Sequence, residues 1–197
     1  MPPSNPRPTI DIEPAARGDL DALADMWVRL ARDQRTYGSA IRADANRETM
    51  RETLAAHQVN DGLLVARLGG RGARAGTATA TATGTETDSI VGFVSFSIER
   101  GSLDLDTTRG LLSNIYVDPA YRDRGIGAAL LEAAEDALAE RGADVMLLEV
   151  MADNEAARRF YRRQGYDSFR VTMGRPLEER DDRGDRSEND THSKEDG

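Results

Sequence analysis

Asp118-Pro-Ala-Tyr-Arg122-Asp-Arg124-Gly125-Ile-Gly127 is the stretch on which the reading of this chain turns. It follows Leu111–Val117 (LLSNIYV), which reads as a strand. It opens onto Ile126, Ala129, Leu130, Ala133, Ala134, Ala137 and Leu138, the apolar spacing of a helix that Gly142 ends. The loop therefore delivers the chain from a strand into the N-terminus of an amphipathic helix. First-turn amides of such a helix lack partners within it, and the helix dipole adds to their pull on anions. Gly125 and Gly127 remove Cβ atoms from the approach, and Arg122 and Arg124 bring charge-assisted donors. A pyrophosphate suits that arrangement.

Outward from the loop, the elements follow from periodicity. Ile10 and Ile12 alternate with polar neighbours in a short strand. Leu20, Leu23, Ala24, Trp27, Leu30 and Ala31 recur at helical spacing, with Asp19 as the expected cap. A second helix is predicted over about 45–57, capped by Asp44 and turning Met50 and Leu54 inward. Leu63–Arg67 and Ile90–Glu99 read as strands. Val145–Met151 (VMLLEVM) is nearly all apolar, as a buried central strand would be. Asn154 is placed to cap a helix carrying Ala157, Phe160, Tyr161 and Gln164, which Gly165 closes. Tyr166–Arg175 reads as a last strand. The order β-α-α-β-β-β-α-β-α-β implies one α/β layer built on a mixed sheet.

Composition bounds the rest. The 197 residues suit one domain with length to spare, over residues 9–177. Residues 1–8 are Pro-rich and expected to be flexible. Residues 69–89, rich in Gly, Ala and Thr, read as a flexible hairpin-loop expansion rather than a gating flap. Residues 178–197, with nine acids and four bases, read as a disordered acidic tail. Cysteine is absent and only His57 and His192 supply imidazole, so no metal site is expected. No stretch reaches the roughly 18 apolar residues of a membrane span, and Met-Pro-Pro-Ser-Asn-Pro has no leader-like apolar run. A cytoplasmic protein away from membranes is expected. The net charge of −9 and lack of a basic face argue against nucleic acid. Lys194 is the sole lysine, which fits either a GC-rich genome or adaptation to high salt.

A kinase-type phosphate loop needs Gly-Lys-Ser/Thr, and the loop holds no lysine. A dinucleotide fold would find its ribose acid in Glu149. However, Leu130 stands at the third glycine position, and seven residues separate strand from glycine. A better match is available. Arg122-Asp-Arg-Gly125-Ile-Gly127 resembles the Arg/Gln-x-x-Gly-x-Gly/Ala pyrophosphate loop of the GNAT superfamily of acyl-CoA N-acyltransferases. Asn114-Ile-Tyr-Val-Asp-Pro119 is similar to that family's fourth strand, and Asn154-Glu-Ala-Ala157 with Phe160-Tyr161-Arg-Arg-Gln-Gly165-Tyr166 to its second motif. The resemblance spans Thr9 to Leu177.

The resemblance implies a single mixed, mostly antiparallel sheet splayed between strands four and five, with helices on both faces. In that gap the backbone of Ile115, Tyr116 and Val117 would pair with a pantetheine arm. The amides of Arg122, Asp123, Arg124, Gly125, Ile126, Gly127 and Ala128 would hold the pyrophosphate of acetyl-CoA, and Asn154 would sit near the thiol end. Leu148-Glu149-Val150 reproduces the local pattern of a base in ribosomal-protein N-terminal acetyltransferases. Glu149 is thus either a general base working through water or a carboxylate satisfied by neighbours at the sheet opening. Tyr161 matches the family tyrosine that protonates the coenzyme A sulfur. An oxyanion donor is expected on strand four near Val117. The first two helices and the joining loop 35–44 would form the acceptor wall, with Trp27 either lining it or in the core. The function implied is transfer of an acetyl group from acetyl-CoA to a primary amine, of a small metabolite or a protein N-terminus, by direct attack in a ternary complex. The rival is a non-catalytic acyl-CoA-binding sensor or scaffold, which would need neither Glu149 nor Tyr161. The sequence leaves a homodimer open.

Overall fold

A computed structural model describes residues 9–69, 90–99 and 105–175. Five strands, β1 (Ile10–Pro14), β2 (Leu63–Leu68), β3 (Ile90–Ile98), β4 (Arg109–Val117) and β5 (Val145–Leu148), lie side by side in chain order. The first three pairings are antiparallel, and β4 runs parallel to β5. Helices α1 (Leu20–Gln34) and α2 (Arg47–Val59) precede β2. Helix α3 (Ile126–Glu140) connects β4 to β5, and α4 (Glu155–Arg163) follows β5. The mixed sheet and its splay agree with expectation.

Period-two alternation puts a core on each face of this sheet. Val65, Phe93 and Tyr116 pack against Leu23, Trp27 and Leu54 of α1 and α2. Their strand neighbours Ala66, Val94 and Ile115 pack against Leu130, Leu138 and Tyr161 of α3 and α4. Phe93 and Phe96 are wholly buried, each worth about 2–3 kcal/mol in apolar area removed from water. Trp27, 5% exposed, is core rather than pocket wall.

Two expected caps are used otherwise. Asp19 stands at the α1 N-cap but caps no helix amide. Its Oδ2 accepts from the Ala16 amide (2.7 Å) and from Nη2 of Arg67 (2.6 Å), a guanidinium that also donates to Glu13 (2.6 Å). A half-sheltered cation is a stronger partner for a buried carboxylate than a neutral amide. Asp44 opens a short 3-10 turn, Asp44–Asn46, that delays α2 to Arg47, and its carboxylate accepts from Arg32 at 2.5 Å.

The C-terminal part departs further. Residues 166–175 contain no strand, and β5 is a four-residue edge rather than a seven-residue central strand. Residues 168–175 belong to a separate unit, irregular throughout, in which Phe169, Val171 and Met173 are exposed. Their alternation supplies an apolar face, but a strand exists only through the ladder it makes with a partner. Segments 1–8 and 178–197 lie outside the described residues, as does all but Gly69 of the 69–89 insertion. Among the described residues, no helix is long and apolar enough to cross a membrane.

Candidate active site

β4 and β5 pair only from Arg109/Val145 to Leu112/Leu148. Beyond that point β5 has ended while β4 continues for five residues, Ser113–Val117, paired among the described residues on its β3 side alone. An antiparallel ladder uses only alternate backbone groups, so the others along this stretch face the opening. The fork coincides with an irregularity in β4. Ser95 pairs with Asn114 and Phe96 with Leu112, leaving Ser113 as an extra, exposed residue. Such a bulge bends the strand and increases its twist. Asn114 steadies the site by donating from Nδ2 to Oγ of the fully buried Ser95 at 2.9 Å.

At the wide end of the gap the chain enters α3. Asp123 (φ +59°) and Gly125 (φ +83°) are both left-handed, and Gly125 is the N-cap, without a side-chain cap bond. The first bond of the helix runs from Ala129 to the Gly125 carbonyl at 3.0 Å. The amides of Ile126, Gly127 and Ala128 have no acceptor among the described residues. The expected bare helix mouth is present. A Cβ at Gly127 would meet Phe160 at 3.5 Å and Val117 at 3.9 Å, ordinary contact distances, so the protein's own packing does not demand glycine there.

Arg122 and Arg124 are engaged with the loop itself. Arg122 donates from Nε to the Val117 carbonyl (3.0 Å) and from Nη2 to Asp33 (3.5 Å), and lies 5.9 Å from the Tyr116 ring. Arg124 donates to the Ala120 carbonyl (3.1 Å) and lies 5.4 Å from the Tyr121 ring. The two guanidinium groups thus brace the turn and keep donors to spare.

Tyr161 is buried among Leu112, Leu148, Ile126 and Phe160, a cluster that joins the strand fork to the helix mouth. Edge-on contacts to Phe160 (5.2 Å) and Tyr166 (5.8 Å) fix its ring. Burial pushes its hydroxyl up to about 12 from an ordinary 10, so it holds its proton at neutral pH. Tyr166 is raised too, by burial first and then by its 2.5 Å bond to Glu135. The folded state therefore keeps a proton that the unfolded chain begins to release at pH 10. The stability this contributes is complete below pH 10 and is lost as pH rises to 12. Tyr161 alone makes it about 3 kcal/mol. Urea midpoints at pH 8 and pH 11 should fall accordingly, and by less in Tyr161→Phe; equal falls would show that the tyrosine is not the cause.

Glu149 is the first residue after β5 and is exposed. It is not the carboxylate embedded in an apolar strand that Val145–Met151 suggested, because β5 stops at Leu148. Asn154 caps α4, its Oδ1 accepting from the Ala157 amide at 3.0 Å. Asp118 ends β4 and accepts from the Ala120 amide at 3.0 Å.

A family model for the GNAT acetyltransferase family matches residues 27–166. The chain belongs to that family. It is 42% identical over 77 residues to the ribosomal protein bS18-alanine N-acetyltransferase of Escherichia coli K12, covering 39% of this chain and 49% of that protein. It is 33% identical over 87 residues to N-alpha-acetyltransferase 30 of Schizosaccharomyces pombe, covering 43% and 55%. The chain thus matches about half the length of these curated relatives. Among solved structures, an aminoglycoside N-acetyltransferase in complex with CoA superposes with a TM-score of 0.58 at 17% identity, covering 87% of this chain and 97% of that one.

In this GNAT chain, sequence reasoning missed three features of the site. Ser113 carries no signal, since a bulge is visible only in register. Tyr116 was read for its backbone alone. Arg29, Arg32 and Asp33 of α1 line an open cleft of about 450 Å³ with Tyr116 and Asp118–Ala120. On a helical wheel those α1 residues form the solvent face.

Proposed function

We propose that this protein moves an acetyl group from acetyl-CoA to a primary amine by direct attack in a ternary complex. The observation that carries this reading is the fork between β4 and β5 opening beside a helix mouth where the amides of Ile126, Gly127 and Ala128 have no acceptor among the described residues. The residues present fit the donor. Amides of Asp123 through Ala128 would hold its diphosphate, the expected Arg122 amide being bonded instead to the Pro119 carbonyl at 3.4 Å, and Ile115, Tyr116 and Val117 would pair with its arm as a missing strand does. Asn154, at the head of α4, would stand near the thiol end. The thioester supplies the activated acyl carbon that the neutral amine attacks.

The chain's own groups handle charge and protons. The fork places its apex at Leu112, so backbone N–H groups of the Ser113–Asn114 bulge are favoured over Val117 as oxyanion donors. Val117 lies at the wide end, roughly 16 Å along the strand. Glu149, solvent-exposed just past Leu148, would take the amine's proton through water. Tyr161, neutral and buried, would give its proton to the departing sulfur and regain one afterwards.

Acetyl-CoA turnover read as free thiol, against amines and N-terminal peptides, tests the reading. Turnover on at least one acceptor is expected. Tight acetyl-CoA binding with no turnover on any acceptor would favour a non-catalytic binding module. Glu149→Gln should lower kcat/KM on the order of a hundredfold near neutral pH, with partial recovery at high pH where the amine is already neutral. An unchanged pH profile would remove Glu149 as the base.

A further inference from the structure

The cleft between α1 and the end of β4 is unevenly charged. Arg32 is matched by Asp44 at 2.5 Å, and Asp33 by Arg122 at 3.5 Å. Asp118 uses one carboxylate oxygen on the Ala120 amide. Arg29 differs. It is exposed, lies 5.9 Å from the Tyr116 ring, and has no carboxylate partner among the described residues. Tyr116 beneath it is 3% exposed, and burial holds its phenol above the ordinary range, hence neutral. A cation against a neutral, buried wall and open to solvent is complementary to an anion.

Its position says which part of a ligand it would meet. Tyr116 lies three residues beyond Ser113, where the strands part, which is about 10 Å along an extended strand. Its side chain packs with the α1 face of the sheet, whereas Ile115 and Val117 pack on the α3 side. A molecule with its amine at the fork and its body on the α1 face would bring a group about 10 Å away to Arg29.

We propose that Arg29 forms an anion subsite of the acceptor cleft, so that the preferred acceptor carries a carboxylate about 10 Å from its reactive amine. An acidic side chain at the third position of an extended peptide N-terminus meets that condition, and a polyamine does not. The proposal rests on the acyl-transfer reading above. It also runs against the overall charge of −9, which by itself would favour cationic acceptors.

The test compares the peptides Ala-Gly-Glu-Gly and Ala-Gly-Gln-Gly on wild type, Arg29→Gln and Arg29→Glu. Expected is a kcat/KM ratio of about ten for Glu over Gln peptide in wild type, about one in Arg29→Gln, and an inverted preference in Arg29→Glu, which should favour a Lys peptide. Calorimetric titration of both peptides into coenzyme A-loaded protein reads the same discrimination without turnover. Binding discrimination without turnover would uphold the subsite and sink the acyl-transfer reading; turnover without discrimination would do the reverse. An equal ratio in all three proteins would overturn the proposal. So would a selective loss of coenzyme A affinity over dephospho-coenzyme A in Arg29→Gln, which would assign Arg29 to the coenzyme's own phosphate. Circular dichroism checks that each variant is folded.

Discussion

Gly125→Val is expected to lower kcat/KM for acetyl-CoA at least a hundredfold and to weaken coenzyme A binding by a similar factor. The cause is a dihedral angle rather than a collision. A Cβ at Gly125 meets nothing within 4 Å, but φ is +83°, a conformation that costs an L-residue about 1–2 kcal/mol and a β-branched one more. The chain can relieve that strain only by rotating the loop, which moves the amides of Ile126, Gly127 and Ala128. A displacement near 1 Å in such a positioning element costs roughly a hundredfold. Gly125→Ala should therefore reproduce much of the loss. Gly127→Ala should not, since its Cβ falls at ordinary contact distance from Phe160. Calorimetric coenzyme A affinity for the three folded variants decides the matter; full affinity in Gly125→Val would place the phosphates elsewhere.

Tyr161→Phe is expected to cut kcat on the order of a hundredfold while leaving acetyl-CoA affinity intact. The substitution keeps the ring, and with it the contacts to Phe160 and Tyr166. The hydroxyl has no hydrogen-bond partner among the described residues and is uncharged in the folded and unfolded chain alike at neutral pH, so its loss should cost little stability there. A purely structural tyrosine would then be silent in both assays. Because burial holds the phenol near 12, the group arrives at the reaction still protonated, as a general acid must. Unchanged kcat would reduce Tyr161 to a packed aromatic.

Much of this was readable one segment at a time. The apolar spacing of α1 and α3 and the positions of β1 to β4 follow from periods of 3.6 and two, which are properties of a short stretch of chain, although β4 begins at Arg109, two residues before the expected Leu111. The cap at Asn154 and the stop at Gly142 were legible for the same reason. Asp19 and Asp44 were misjudged because a carboxylate takes its best available partner, and Arg67 and Arg32 come from other elements. Glu149 was read as embedded because an apolar run looks alike whether it lies inside a sheet or at its edge.

The sequence by itself determined the glycine-bearing strand-to-helix turn, the amphipathic spacing of the helices and the family. Only the tertiary structure decided where β4 and β5 part, that Ser113 is the extra residue, and that Arg29 lies over Tyr116, 87 positions further along. These are properties of pairs of distant segments. They depend on which hydrogen bonds are left unmade and which side chains meet after packing, and neither is encoded in the spacing of any one stretch.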